Sequence, residues 1–347
     1  LVLTTTAWPS QNPPNSLELA KRPFLYGREY FVLRSGRAEM IVQADRADVG
    51  PAFGYLLFNA EDANQSLRKD LAFNFDPAQG FASSELQVEL GGFPFTALGH
   101  QTATRWTDSD GIPAAEAIWW AGPVRVTERI CALADGVFSR SIRLESGKML
   151  GPQAIILRLS LPVGAGMGRE RVIMQVRDHV SLALAIPGDV PVSVDTAKSQ
   201  IAAGPLTIGP ASTTTIETLL IVRTPPVGAD ELAARAAALV ASLAGPERKT
   251  ARDHWAGQSS IVTADRSVQE IYDKARFGLP AMIADDGTMD AGIFEYGNQW
   301  VRDTSNSVLG VIHIGEFELA RNTLRRVMTK MVSPDGITMI AGSFDKP

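Results

Sequence analysis

One cysteine, Cys131, stands among 347 residues, so no intrachain disulfide forms and the redox compartment stays open. Apolar runs are short. None approaches the ~20 residues that a membrane-crossing helix needs, so no membrane association is expected. Histidine is scarce, and His100, His179, His254 and His313 lie far apart with no His/Cys pairing, a pattern that offers no zinc set. Basic runs are missing as well. With a net charge of −5, nucleic acid is not an expected partner. What remains, 45% hydrophobic and 20% charged residues, is the composition of an ordinary globular protein with length enough for two domains. The chain starts at Leu1 rather than Met, which fits a removed signal peptide as well as a cytoplasmic protein.

Residues 1–20 are rich in Thr, Pro, Asn and Ser and read as extended. Strand periodicity begins near Arg28. Tyr30–Leu33 and Ala38–Val42 flank a Ser35-Gly36 turn, a hairpin signal. Further strands are predicted at 53–58, 71–75 and 85–90. From Ala115 to Glu145 the pattern is a β-meander with one face buried, its turns at Gly122-Pro123 and Asp135-Gly136. More strands follow at 154–161, 172–176, 181–186, 192–194 and 215–222. Many short strands with Gly/Pro turns predict a large antiparallel β-sandwich over 1–225.

Helical periodicity then takes over. The first helix spans Asp230–Leu243, with Asp230 as N-cap and Gly245-Pro246 as its stop, and a second covers Arg248–Trp255. These form a helical linker, 226–262. The next helix, Ser267 to Leu279, places Val268, Ile271, Tyr272, Ala275 and Leu279 on one face, with Pro280 ending it. After a polar loop come two more helices. One carries Val308, Leu309, Val311 and Ile312 and stops at Gly315, with His313 as a packing residue. The other starts near Glu316 and ends at the turn Pro334-Asp335-Gly336.

Several features of the β region have bland explanations. Of Trp119 and Trp120, adjacent on a strand, one faces the core and the other the rim. Asp45 and Asp48 sit in a solvated turn without further metal ligands. Gly164–Gly168 lacks the full G-x-G-x-x-G and reads as a flexible hairpin loop.

The cluster Trp300-Val301-Arg302-Asp303 carries more chemistry. An indole stacks on the apolar face of a sugar ring, and guanidinium and carboxylate make charge-assisted hydrogen bonds to hydroxyls. Spacing alone favours a plainer reading, a salt bridge at a helix start with Asp303 or Thr304 as the cap. Tyr296 and Asn298, just upstream, extend the same rim. Among the nearby carboxyls, Asp290, Glu295 and Asp303, Glu295 has no adjacent cation and is a candidate acid, the alternative being a solvated loop charge or a capping partner.

This stretch resembles the first signature block of the (α/α)6-barrel, six-hairpin glycosidases, above all the glucoamylase-like glycoside hydrolases, with related patterns in the glycogen-debranching and trehalase families. There a Trp-Arg-Asp cluster opens an inner helix, and a helix follows with the character of Glu318, Ala320, Arg321 and Leu324 here. The likeness is specific over 265–345 and looser elsewhere, and Val301 interrupts a cluster that is contiguous in some members. It implies a β-sandwich, linker helices, and the first α-hairpins of an (α/α)6 toroid over 263–347. It further implies an oligosaccharide or polysaccharide substrate, Trp300, Arg302 and Asp303 around its terminal sugar, and no cofactor or metal. The reaction implied is hydrolysis of a terminal α-glucosidic bond with inversion, by two carboxyls about 6.5–9.5 Å apart. The family's catalytic glutamates lie on later loops, and only about three helices are patterned after Asp265, so the chain is expected to be the N-terminal part of a longer protein. A phosphorylase on the same scaffold, a polysaccharide lyase and a non-catalytic carbohydrate-binding or structural protein are the alternatives.

Overall fold

The computed structural model describes residues 30–36, 38–43, 53–57, 86–97, 101–148, 151–161, 166–176, 180–223, 225–289 and 300–339. Three antiparallel sheets make up the first part. The smallest joins β1 (Tyr30–Ser35), β2 (Ala38–Gln43) and β3 (Phe53–Leu57). A five-stranded sheet contains β4 (Leu86–Leu90), β5 (Phe93–Phe95), β10 (Gln153–Ser160), β14 (Val192–Asp195) and β15 (Gln200–Ile208) in the order β14-β15-β10-β4-β5. The third has eight strands. These are β6 (Gln101–Ser109), β7 (Ile112–Ala121), β8 (Val124–Ala132), β9 (Val137–Ser146), β11 (Met167–Arg169), β12 (Val172–Val176), β13 (Ser181–Ala185) and β16 (Thr213–Arg223). Their order is β11-β12-β13-β16-β9-β8-β7-β6.

The two larger sheets form the sandwich. Trp119, Val126, Ile142 and Leu144 from the eight-stranded sheet share one buried cluster with Leu86, Val88, Ile155, Leu157 and Ile201 from the five-stranded one. Period-2 alternation is plain in β4, whose residues alternate buried and half-buried. Trp119 is fully buried, whereas Trp120 is 42% exposed, as strand geometry requires of neighbours. A polar group lies within this apolar layer. Glu128, fully buried, accepts from Trp119 Nε1 at 2.6 Å and from Arg140 Nε at 2.7 Å.

The meander is not buried on one face only, which corrects the sequence expectation. On the outer face, Ile112, Ala114, Cys131, Val137, Leu219 and Ile221 pack against helices α1 (Ala229–Ser242) and α2 (Gly245–Ala256). Strands covered on both sides lose their alternation, and β13 is buried at every position. The glycine-rich segment expected as a loop also gains structure, since β11 begins at Met167.

The helix boundaries bring further corrections. Gly228, not Asp230, caps α1, and Asp230 instead pairs with Arg169. Gly245-Pro246 does not stop that helix. Leu243 and Ala244 turn the chain in left-handed conformations (φ 52° and 53°), and Pro246 falls in the first turn of α2, where its missing N–H costs nothing. Pro280 sits inside the last turn of α3 (Arg266–Ala281), not after it. The predicted apolar face of α3 is turned outward over its first turns, with Val268 and Ile271 both exposed, and only at its end does Leu279 pack on the cluster around Val308 and Leu319. The opposite side of the helix carries Phe277 to Trp106 of β6 (ring centroids 5.1 Å) and to Trp255 of α2 (5.5 Å).

A helical hairpin closes the described chain: α4 (Val301–His313), a turn at Gly315 (φ 90°), and α5 (Phe317–Lys330). Val308, Val311, Leu319 and Ala320 meet Ile283 and Met289 in a small core. His313 is exposed, not packed, and Leu309, Phe317 and Met328 also face outward.

Candidate functional site

The predicted sugar-binding cluster lies at the open N-terminal end of α4. Trp300 is the N-cap residue, with extended backbone (φ −114°, ψ 126°), and its carbonyl accepts from Thr304 N at 2.8 Å. The N-cap position is held by Trp300, whose side chain makes no capping hydrogen bond among the described residues, so Asp303 and Thr304 are not the cap considered for them. Asp303 falls in the first turn, where a carboxylate complements the positive end of the helix. Its Oδ2 lies 3.7 Å from an Arg302 terminal nitrogen, too far for a strong hydrogen bond. The Arg302 side chain is 84% exposed and that of Asp303 39%, while Trp300 is half-buried. The indole, the guanidinium and the carboxylate thus stand together within one helical turn, and the two charged groups are not consumed by each other. Glu295, Tyr296 and Asn298, together with Asp290, lie outside the described residues.

A tight turn follows α3. Ile283 and Met289 form a β-bridge, Ala284 N donates to Thr288 O at 2.8 Å, and Asp286 Oδ1 accepts from both Thr288 N and Thr288 Oγ1. Gly287 (φ 83°) presses this turn onto α5, where an added Cβ would come within 2.4 Å of the Asn322 carbonyl oxygen. Only glycine fits that approach. Asn322 Nδ2 in turn donates to Asp285 O at 3.0 Å. A second turn of the same kind follows α5, bridged at Val332 and Thr338. The sequences agree, Asp286-Gly287-Thr288-Met289 against Asp335-Gly336-Ile337-Thr338-Met339.

The helices are joined to the sandwich at a cavity of about 220 Å³, lined in part by Arg34, Trp106, His254, Trp255, Phe277 and Glu316. Trp300, Arg302 and Asp303 do not line it. Its walls are tied by charge. Arg34 of β1 pairs with Asp285, and Arg276 lies over the Trp255 and Phe277 rings at 5.8 and 5.5 Å. Glu316, buried at the start of α5, meets His254 Nε2 at 2.9 Å and accepts from the Gln258 amide. Sequence reading missed these residues, because each is an ordinary polar residue until the fold brings its distant partner to it.

Burial by itself would raise the Glu316 carboxyl, but His254, Arg34 and Gln258 outweigh it and hold it below its ordinary value of 4.5. A carboxyl depressed on folding stabilises the protein above its unfolded value, and that stabilisation fades as pH falls through the folded value. The thermal midpoint of the native protein should therefore exceed that of Glu316→Gln at neutral pH, with the gap narrowing below about pH 4.5. Thermal melts of both across pH 3–7 check this. A gap independent of pH would rule out the charge as its origin.

No protein-family model and no curated protein matches the sequence. Solved structures do match in shape. A protein assigned as a kojibiose phosphorylase from the human microbiome superposes with a TM-score of 0.51 at 9% identity, over 86% of this chain and 46% of that one. A heparan sulfate lyase from Pedobacter heparinus matches over 59% of this chain and 37% of its own, at 9% identity and a TM-score of 0.40. A 4-alpha-glucanotransferase from Thermococcus litoralis matches over 58% and 38%, at 10% identity and 0.31. The last two superpose too loosely for their folds to be compared with this one. The first shares the arrangement of antiparallel sheets followed by helices, and the present chain spans less than half its length.

Proposed function

We propose that this chain belongs to an enzyme acting on α-glucosides, and that Trp300, Arg302 and Asp303 hold the sugar at the non-reducing end. The observation that carries the reading is the mouth of α4. An indole, a guanidinium and a carboxylate occupy the N-cap and first turn there, on a fold shared with a protein assigned as a sugar phosphorylase. In this reading residues 1–225 are the sandwich domain, 226–262 the linker, and 263–347 the opening hairpins of an (α/α)6 toroid whose remaining hairpins come from further sequence. Trp300 stacks on the ring, and Arg302 and Asp303 bind its hydroxyls. Tyr296 and Asn298 extend the rim. Glu295 is the one local candidate for an acid, and the principal pair of carboxyls is supplied by the rest of the toroid.

Hydrolysis with inversion is the first reading: an acid protonates the leaving oxygen while a base activates water on the opposite face. The likeness to a protein assigned as a phosphorylase favours a second, in which phosphate replaces water as the nucleophile. Incubating the longest natural form of the polypeptide with α-linked glucose disaccharides, with and without phosphate, separates them. Free β-glucose released without phosphate supports hydrolysis. Glucose 1-phosphate formed only with phosphate supports phosphorolysis. An unsaturated product, or binding without turnover, overturns both.

A further inference from the structure

The helices α1 and α2 cover only part of the outer face of the eight-stranded sheet. The rest forms an open depression of about 430 Å³, lined by Arg105, Arg125, Arg129 and Arg143 together with Glu116, Glu145 and three hydroxyl side chains. Strand register sets the arrangement. One cross-strand row runs Arg105, Glu116, Arg129, Ser141 over β6 to β9. The next runs Thr127, Arg143, Thr215, and the third Trp120, Arg125, Glu145. All these side chains share the face opposite the sandwich core, since successive residues of a strand point to opposite sides.

The carboxylates form the floor and the guanidiniums the surface. Glu116 is 1% exposed and accepts from Arg105 Nε and Nη2 (2.9 and 2.6 Å) and from Arg129 Nε (2.6 Å). Burial alone would raise its carboxyl, but the bonds from Arg129 and Arg105 prevail and hold it low, so it stays charged and orients both. Glu145 pairs with Arg143 at 2.8 Å and with Arg125 at 3.4 Å. The four arginines are 41–63% exposed. A guanidinium has five N–H donors, and among the described residues these contacts use one or two on each.

Two features set this lattice apart from a merely solvated sheet. It holds four cations against two carboxylates, a local excess of positive charge on a chain whose net charge is −5. Moreover, every cation in it is an arginine, whose planar fork matches the paired oxygens of a carboxylate or sulfate, and none is lysine. Arg125 and Arg129, four residues apart on β8, are separated by roughly 13–14 Å along the strand, so the depression suits an anionic polymer better than a single ion. Trp120, directly opposite Arg125 and 42% exposed, adds an aromatic surface at one end.

We infer that this arginine-lined depression is a second glycan-binding surface, remote in sequence from the α4 mouth, that takes an acidic oligosaccharide through its carboxylate or sulfate groups. That the polymer is a glycan rests on the proposed function; that the surface binds oxyanions does not. Calorimetry on the full-length protein with tetragalacturonate, maltotetraose and a hexaglutamate peptide tests it. Tetragalacturonate should bind, weaken as salt is raised, and bind at least tenfold more tightly than maltotetraose at this surface. The double variant Arg125→Gln/Arg143→Gln, which leaves the buried Glu116 and its partners intact, should lose at least tenfold in tetragalacturonate affinity with an unchanged thermal midpoint. Equal binding of the charged and neutral sugars, or unchanged affinity in the double variant, overturns the surface. Hexaglutamate binding as tightly as tetragalacturonate overturns the glycan assignment in favour of an acidic protein partner. Turnover of a neutral α-glucoside is a separate readout. Its absence while tetragalacturonate still binds removes the enzyme reading and leaves the surface standing.

Discussion

Replacing Asp303 with alanine is expected to abolish sugar binding at the α4 mouth while leaving the fold intact. A carboxylate accepts hydrogen bonds from two neighbouring hydroxyls, and bonds to a charged group contribute about 1.5–3 kcal/mol each. Loss of even one weakens binding by about an order of magnitude or more, and loss of both takes a millimolar site beyond measurement. The structural cost is small by comparison. Asp303 is 39% exposed and, among the described residues, keeps a 3.7 Å contact with Arg302 and is not the N-cap. Its one contribution to stability is to the helix dipole, typically ~0.3–1 kcal/mol for an exposed first-turn carboxylate. Calorimetric titration of an α-glucoside into the full-length protein, paired with thermal melts, separates the two effects. Unchanged affinity would remove Asp303 from the sugar site, and with it the main support for the proposed function.

The second large effect concerns stability. Glu128→Ala should destabilise the sandwich by about 3–5 kcal/mol, because Arg140 is then left buried with an uncompensated charge. Glu128 is fully buried between the two sheets, and Arg140 is only 6% exposed. For a protein whose total stability is ordinarily ~5–15 kcal/mol, that is a large share. The double variant Glu128→Leu/Arg140→Met should recover most of the loss, since apolar side chains of similar volume can replace a buried ion pair at little cost. Recovery should stop short of complete, because Trp119 Nε1 loses its acceptor, an unsatisfied donor worth about 1–3 kcal/mol. Urea denaturation of the three proteins measures this. A double variant as unstable as the single one would show that charge burial is not the source of the cost.

The parts of this fold that were legible in sequence are those built from near neighbours. The meander β7–β9 could be read because its turns carry Gly122-Pro123 and Asp135-Gly136 and its strands lie next to each other in the chain. The α4–α5 hairpin announced itself through Gly315, whereas the cluster at its mouth stood out only through its resemblance to a known family, since spacing alone favours a salt bridge at a helix start. Failures came where a local signal has two structural uses. Gly245-Pro246 reads as a stop, but proline serves as well in a first helical turn, and tertiary packing chose that use. β15 went unread because Gly204-Pro205 interrupts it, and its bulge against β10 is visible only in pairing. The apolar stripe of α3 was real but did not decide orientation, since Phe277 and the aromatic rings of β6 and α2 bind the other side more strongly. The junction was invisible for a different reason. Arg34 meets Asp285 across 251 residues and Gln258 meets Glu316 across 58, separations at which no sequence pattern operates.

The order of the five-stranded sheet bears on how the chain assembles. At its centre β10 pairs with β4, so that Leu90 meets Ile155 after the whole of β6 to β9 has intervened. Closing a loop of that length forfeits on the order of 4 kcal/mol of chain entropy by the (3/2)RT ln n rule, before the first contact compensates. The hairpins of the meander, closed by turns of a few residues, carry far less of that burden. Once they have zipped together, the ends of the long loop are delivered to the same side of one rigid ribbon, and most of the search is over. The five-stranded sheet is therefore expected to complete its central pairing after the meander of the eight-stranded one has brought β4 and β10 within reach.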